Sequence, residues 1–531
     1  MKLKVAFIAL ACSMSLLAAG HATAQEEPVS GGTLNFAVVS GPSTYDLHSS
    51  NSFSDMHYLA PHYSGLLTFE WQNYPDVTGD LAESWEESED GLTYTFTLND
   101  GVLFHDGTPM TSRDVKASYD RMRTPPEGVI SVRQASFSDI DTIETPDDLT
   151  VVFNMLRANA SMIMVFASPW NAIYSADRLE EDPRFPVTNV LGTGPFVFNE
   201  YVAGASWSGD KFDDYFVEGR PYLDGFIATQ ISGSSLLNAL EGRQVMAEFR
   251  GIVSPQRDQL AAAMGDSITF QEGPRLTNWL FAINTTRPPF DDQRVRQALN
   301  LAIERCEGLT QLAKITLISP ERGAPLWPDN PAALSEDELA EYPGYSCDIE
   351  SNRERARELL AEAGQSDLNF ELTNRAIPHP YDIFGIYVID QWRQIGVTVT
   401  MTSLPTSSYA QLRSSGDFDV IMDFAPEFTD SAVLNLTKYL SRSRSPSNFA
   451  QYEDAELDAL YETLTYGENE EERTEAAREF QARLLDQAYY IFLGWSTRIV
   501  PLSPRIQGWV FSPSHMLNQN MQDIWLLPEA G

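Results

Sequence analysis

From Trp279 onward, short apolar or alternating runs take turns with stretches in which apolar residues recur every three or four positions. That succession constrains the fold more than any other feature. WLFAI at 279–283 and FDVIMDF at 418–424 suit buried strands, and VTVTM at 397–401 alternates with period two. Between them, residues 292–304 place Val295, Leu299, Ala302 and Ile303 near one helical face. Residues 454–464 do the same with Leu457, Leu460, Tyr461 and Leu464. Ser351 and Glu354 read as a capping box ahead of Ala356, Leu359, Leu360 and Ala363, with Gly364 as the stop. Helices interposed between strands imply an α/β sheet. The stretch around 66–160 differs. It is rich in Thr, Tyr and turn residues, carries the alternating strand TYTFTL at 93–98, and reads as more β-rich.

The chain has 531 residues, enough for three domains of ordinary size or two large ones. Its start has the layout of a secretory signal: Lys2 and Lys4, an apolar stretch from Val5 to about Ala19, then Ala22-Thr23-Ala24. The mature protein is expected to begin near Gln25 and to work in the periplasm. Cys12 follows Ala9-Leu10-Ala11, with the Leu misplaced for lipidation, so a soluble exported form is expected rather than an anchored one. After residue 24 no apolar run approaches the ~20 residues of a membrane-spanning helix. Two cysteines remain, Cys306 and Cys347. In an oxidising compartment they suggest one disulfide, worth ~3–4 kcal/mol in the chain-entropy model. The alternative is two separate buried thiols.

Composition narrows the functional classes. With 36 Lys+Arg against 75 Asp+Glu, the net charge of −39 repels phosphate backbones and argues against nucleic acid as a partner. HExxH, GxSxG and GxxxxGK[ST] are all missing, and Gly192-Thr193-Gly194-Pro195-Phe196 is not a dinucleotide-binding loop. His48, His57 and His62 form the one close histidine set, but their spacings do not share a helix face, so neither a metal nor a cofactor is expected. Nothing marks a nucleophile with its base, and the expectation is a protein that is not an enzyme.

Residues 81–121, LAESWEESEDGLTYTFTLNDGVLFHDGTPMTSRDVKASYDR, resemble the signature region of bacterial extracellular solute-binding proteins of family 5, the dipeptide, oligopeptide and nickel receptors of ABC importers. Leu191 to Phe196, Arg220 to Asp224, Asn284 to Arg296 and Arg357 to Gly364 resemble further family blocks in the same order. Asn99 departs from the usual Lys or Arg. The resemblance implies an α/β, two-lobed periplasmic-binding-protein fold with two hinge crossovers and an extra β-rich domain. On that pattern lobe one comprises 25–66, 192–285 and 497–531, the extra domain 67–191, and lobe two 286–496. It also implies a small solute, peptide or peptide-like, delivered to an inner-membrane ABC permease by a monomeric receptor. Opines, oligosaccharides and metal chelates are the alternative solutes, and a secreted hydrolase is the alternative class.

Candidate ligand residues follow from strand ends, because open α/β sheets bind at the carboxyl ends of their strands. Arg375 ends the apparent strand beginning at Asn369 and matches the family arginine that grips a ligand carboxylate; the competing role is a surface salt bridge. Phe424, Glu427, Phe428 and Asp430 follow FDVIMDF. The family commonly has Trp at Phe424 and, in peptide receptors, Asp near Glu427, so this loop is altered. Its rings are candidates for an apolar ligand face and its acids for an ammonium; core packing and a turn cap are the bland roles. Tyr45, Asp46 and His48 follow the first apparent strand, 33–39, and are expected opposite Arg375. Trp279 stands near the crossover, and Arg442 and Arg444 are further cations able to meet an acid.

Overall fold

The computed structural model describes residues 27–70, 73–231, 233 and 235–529; the signal segment 1–24 lies outside them. One mixed sheet of 11 strands runs through both lobes. In the first lobe Thr33–Val38 lies parallel to Gly225–Gln230 and to Ala247–Glu248, and the antiparallel strands Ser206–Lys211 and Phe196–Val202 extend that edge. In the second lobe Asn369–Arg375 lies parallel to both Thr398–Leu404 and Val420–Pro426. Two long antiparallel strands, Thr269–Ile283 and Tyr490–Leu502, join the halves. A separate antiparallel sheet, in the order Ala82–Glu87, Thr93–Leu98, Thr150–Met155, Ile140–Asp147, forms the extra β-rich domain.

The apolar runs are strands buried on both faces. Trp279, Phe281, Ile283, Val420 and Met422 pack on one side with Val295, Leu299, Leu359 and Trp392. Leu280, Ala282, Ile421 and Ala425 pack on the other with Leu457, Phe480 and Leu484. Two-fold side-chain alternation between two helical layers explains why the sequence is apolar without a break there. In the extra domain only one face is covered: Tyr94, Phe96 and Leu98 point into the core while Thr93, Thr95 and Thr97 face outward. The family-like glycines at 192 and 194 press against the backbone of His62 and the ring and amide of Tyr63, where a Cβ would clash.

Helix boundaries show one correction. The helix read as starting at Ser351 runs Ile349–Glu362, and its cap is Asp348, whose carboxylate accepts from the Ser351 N–H at 3.2 Å. Gly364, with φ +69°, lies just beyond its end as expected. Residues 292–304 contain the helix Gln293–Leu301, capped by Asp292, and the run 454–464 opens the helix Ala455–Tyr466, capped by Asp454, which ends two residues later. Cys306 and Cys347 are joined in a disulfide that ties the helix Cys306–Leu312 to the turn before Ile349–Glu362. Among the described residues no helix is long and apolar enough to cross a membrane.

Candidate functional site

The two sets of parallel strands point their carboxyl ends at one place. In the second lobe Val420–Pro426 ends with Pro426 opposite Thr277. In the first lobe Ala247–Glu248 leads to Gly251, which abuts Arg498, and to Ile252, whose N–H donates to Ile499. The meeting point is therefore the middle of the crossing ribbon. There the ladder breaks: pairing passes from Arg275–Ser496 to Asn278–Trp495, leaving Leu276 and Thr277 outside the register.

Arg375 closes its strand at this junction. Its guanidinium carbon stands 5.3 Å from the ring centre of Tyr381, 5.0 Å from Tyr409 and 5.2 Å from Phe424. Three rings hold a cation by their faces and leave its hydrogen-bonding edge uncommitted. Among the described residues no carboxylate pairs with Arg375, and its buried Nε has no partner. Trp279 completes the group, packing against Phe424 at 5.6 Å, Tyr381 at 5.7 Å and Phe384 at 5.3 Å, with its own Nε1 buried and unpartnered. Burial pushes the Tyr381 phenol up to about 12, while Arg375, Arg250 and Arg275 pull it down. The nearby Asp423 carboxylate is taken by Arg413, through contacts of 2.9 and 3.1 Å.

The rest of the 424–430 loop is engaged with protein. Glu427 contacts the Lys438 ammonium. Phe428 packs on Phe69 at 6.3 Å, and the Asp430 N–H donates to the Tyr74 hydroxyl at 3.1 Å. Burial raises the Asp430 carboxyl. Further contacts follow the same seam: the Ser161 and Ser431 hydroxyls at 3.3 Å, Arg157 with Glu462 at 3.1 Å, and the Tyr466 hydroxyl donating to Asp139 at 2.9 Å. The second lobe is thus clasped to the extra domain.

Tyr45, Asp46 and His48 are not brought to Arg375. The Tyr45 ring packs edge-on to Trp207 at 5.1 Å. Asp46 is buried and paired with Arg121 at 2.6 Å, and His48 bonds the Ala172 carbonyl and Arg121. Burial depresses the His48 imidazole to about 3. This cluster fastens the segment after the first strand to the helix Ser112–Arg123. His57 lies between Phe36 and Phe53, and His62 bonds the Phe196 carbonyl and the Trp207 indole, so each imidazole has its own neighbours. Arg444 pairs with Glu462, and Arg442 serves backbone carbonyls. A separate recess, lined in part by Met56, Tyr63, Asp80 and Met516, contains none of the Arg375 group.

Four residues of this junction escaped the sequence reading: Arg275, Arg498, Tyr381 and Tyr409. For Arg498 a signal existed, since it is the one charge in the thirteen residues of Tyr490–Leu502.

Residues 76–442 match the family described as bacterial extracellular solute-binding proteins, family 5 middle. The chain belongs to this family. Its members are solute-binding receptors rather than enzymes, and this chain is a solute-binding receptor of that kind. Heme-binding protein A of Haemophilus influenzae is 27% identical over 482 residues, covering 85% of this chain and 84% of the relative. The dipeptide-binding protein of Escherichia coli K12 is 24% identical over 486 residues, covering 85% and 87%. Among solved structures, the periplasmic binding protein AgaA with agropinic acid superposes with TM-score 0.82 at 23% identity, covering 94% of this chain and 99% of that one. DppA from Helicobacter pylori with the peptide STSA gives 0.80 at 21% identity, covering 94% and 98%. The family-5 fold accounts for the continuous sheet and the paired crossings described above.

Proposed function

We propose that this family-5 receptor works in the periplasm after removal of residues 1–24, capturing a peptide or peptide-like solute between its lobes and passing it to an inner-membrane ABC permease. The observation that carries this reading is Arg375, a cation at a strand's carboxyl end, held by three rings and opposed by no carboxylate among the described residues. A guanidinium so placed suits the bidentate grip of a carboxylate. The names of the dipeptide-binding relative and the peptide-bound neighbour support the solute class. Phe424 and Trp279 supply the apolar wall. Phe428 and Asp430 act at one remove, by fastening the second lobe to the extra domain, and Glu427 by holding Lys438 within the second lobe. The hinge belongs at Leu276-Thr277 opposite Trp495 and Ser496, which moves the first crossover back from residue 285 and keeps the second near 497.

The test is mass spectrometry of the solute released from protein purified without denaturation, followed by small-angle scattering with and without that solute. Release of an unchanged small molecule and a smaller radius on rebinding are expected. Turnover of the solute, or an unchanged radius with binding confirmed, would overturn the reading.

A further inference from the structure

The first-lobe side of the junction carries charge without counter-charge. Arg275 pairs across the ribbon with Ser496, and Gly273 with Arg498, so the two arginines share one face of the antiparallel pair on a diagonal. Arg275 is 7% exposed and Arg498 1%. The Arg275 Nη2 lies 3.0 Å from the His515 Nε2, and His515 packs on Phe53 at 4.4 Å. Arg498 stands over Phe511 at 4.7 Å and Trp509 at 5.6 Å. Among the described residues neither arginine meets a carboxylate. The Arg275 Nε, the Arg498 Nε and Nη1, and the His515 Nδ1 are buried without a hydrogen-bond partner.

The neighbouring acid does not fill that role. Glu248 is buried and accepts from the backbone N–H groups of Arg250 at 3.0 Å and Gly251 at 2.6 Å. Burial lowers both arginines only to about 9, so they remain charged at neutral pH. Two like charges withdrawn from water without compensation are costly, and a chain of net charge −39 has acids to spare for neutralising them. Tyr381 joins this group to Arg375: its ring centre lies 5.3 Å from the Arg375 guanidinium carbon and packs at 5.7 Å on Trp279, which shares the strand Thr269–Ile283 with Arg275.

We infer that the captured solute bears at least two ionised acid groups, one received by Arg375 and another by the Arg275–Arg498 pair beside His515. This rests on the reading of Arg375 as the anchor of a captured solute. It also fits the Glu427 carboxylate being taken by Lys438.

The inference is tested by calorimetry on the full-length mature protein, stripped of solute, with four probes. Glutamylglutamate carries three carboxylates, glutaminylglutamine one on a matched backbone, tricarballylate three without a peptide bond, and fructose 1,6-bisphosphate tests phosphate as the acid. We expect glutamylglutamate to bind at least about 30-fold tighter than glutaminylglutamine, and Arg498→Gln or Arg275→Gln to shrink that ratio about tenfold. Should these variants fail to fold, the salt dependence of the unsubstituted protein decides: a preference for the poly-acid that fades with ionic strength supports the inference. Equal affinity for the two dipeptides overturns the inference and leaves the peptide-receptor reading standing. Binding of tricarballylate or the bisphosphate with neither dipeptide overturns the peptide reading alone. Failure of every poly-acid, or a native solute with fewer than two acid groups, overturns the inference.

Discussion

Arg121, in the stretch assigned to the extra domain, and Arg498, on the second crossing strand, are both buried arginines, and they are treated in opposite ways. Arg121 holds Asp46 through two bonds of 2.6 and 3.1 Å, touches the His48 Nδ1 at 3.0 Å and donates its Nε–H to the Pro183 carbonyl at 3.1 Å. Arg498 has aromatic faces beside it and no carboxylate partner among the described residues. A guanidinium with all its edges occupied is part of the scaffold. One kept charged and unopposed at the mouth of two sheets is suited to a charge arriving from outside.

The contrast can be broken most directly by removing each cation. Arg121→Ala leaves Asp46 buried and unpaired and is expected to cost about 3–5 kcal/mol of stability in urea unfolding. Arg498→Met, which removes a charge with no carboxylate in contact among the described residues, is expected to cost less than about 1 kcal/mol or to stabilise the protein without added solute. Equal losses at the two positions would erase the distinction. Arg375→Ala is expected to weaken binding of the native solute by about 2–5 kcal/mol in calorimetry, with a melting temperature close to that of the unsubstituted protein. Normal affinity in that variant would return Arg375 to an ordinary surface role.

His48 sharpens the same contrast through pH. Its folded pKa is depressed to about 3 against an ordinary 6.5, so the neutral form belongs to the fold and the unfolded chain takes up the proton. Its stabilising contribution is complete above about pH 6.5 and is lost as pH falls toward 3, at about 1.4 kcal/mol per pH unit. His48→Gln should flatten the dependence of unfolding free energy on pH across that window by close to one proton; an unchanged slope would count against a neutral, scaffold-bound His48. The smallest effect is expected at the seam. Arg157→Ala removes a half-exposed ion pair with Glu462 and the stacking of its guanidinium 3.5 Å from the Tyr466 ring centre. Closure should weaken by no more than about 1 kcal/mol, read as a slightly larger radius in scattering without solute.

Much of this architecture was legible from residue order. Strands such as Thr93–Leu98 and Val420–Pro426, the second read two residues early as 418–424, announce themselves because burial on one face or two leaves a fixed period. That Arg375 ends a strand was legible for the same reason: a strand end is a local property, and the carboxyl end of a parallel strand is a place as well as a pattern. Tyr45, Asp46 and His48 also follow a strand, yet their fate was decided by Arg121, 75 positions from Asp46, and no local rule reports such a partner. Arg275 and Arg498 stayed hidden because the crossing strands carry no motif, and whether a strand arginine faces water or an enclosure depends on the other lobe. The cap at Asp348 rather than Ser351 is a smaller case, in which two plausible acceptors lie within one helical turn.

The dipeptide Leu276-Thr277, which steps out of register between the two crossing strands, has a consequence for how the molecule keeps time with its ligand. On either side of it the two crossing strands stay bonded to each other, so the lobes can swing as a ribbon folds at a crease, without unzipping either flank. Arg275 sits just before the crease and Trp279 just after it, so with the hinge proposed there they ride on opposite lobes. Anything that touches both acts as a strut of fixed length. A receptor hinged as proposed gauges a molecule's span as well as its chemistry, because only one opening angle lets both ends of the strut make contact.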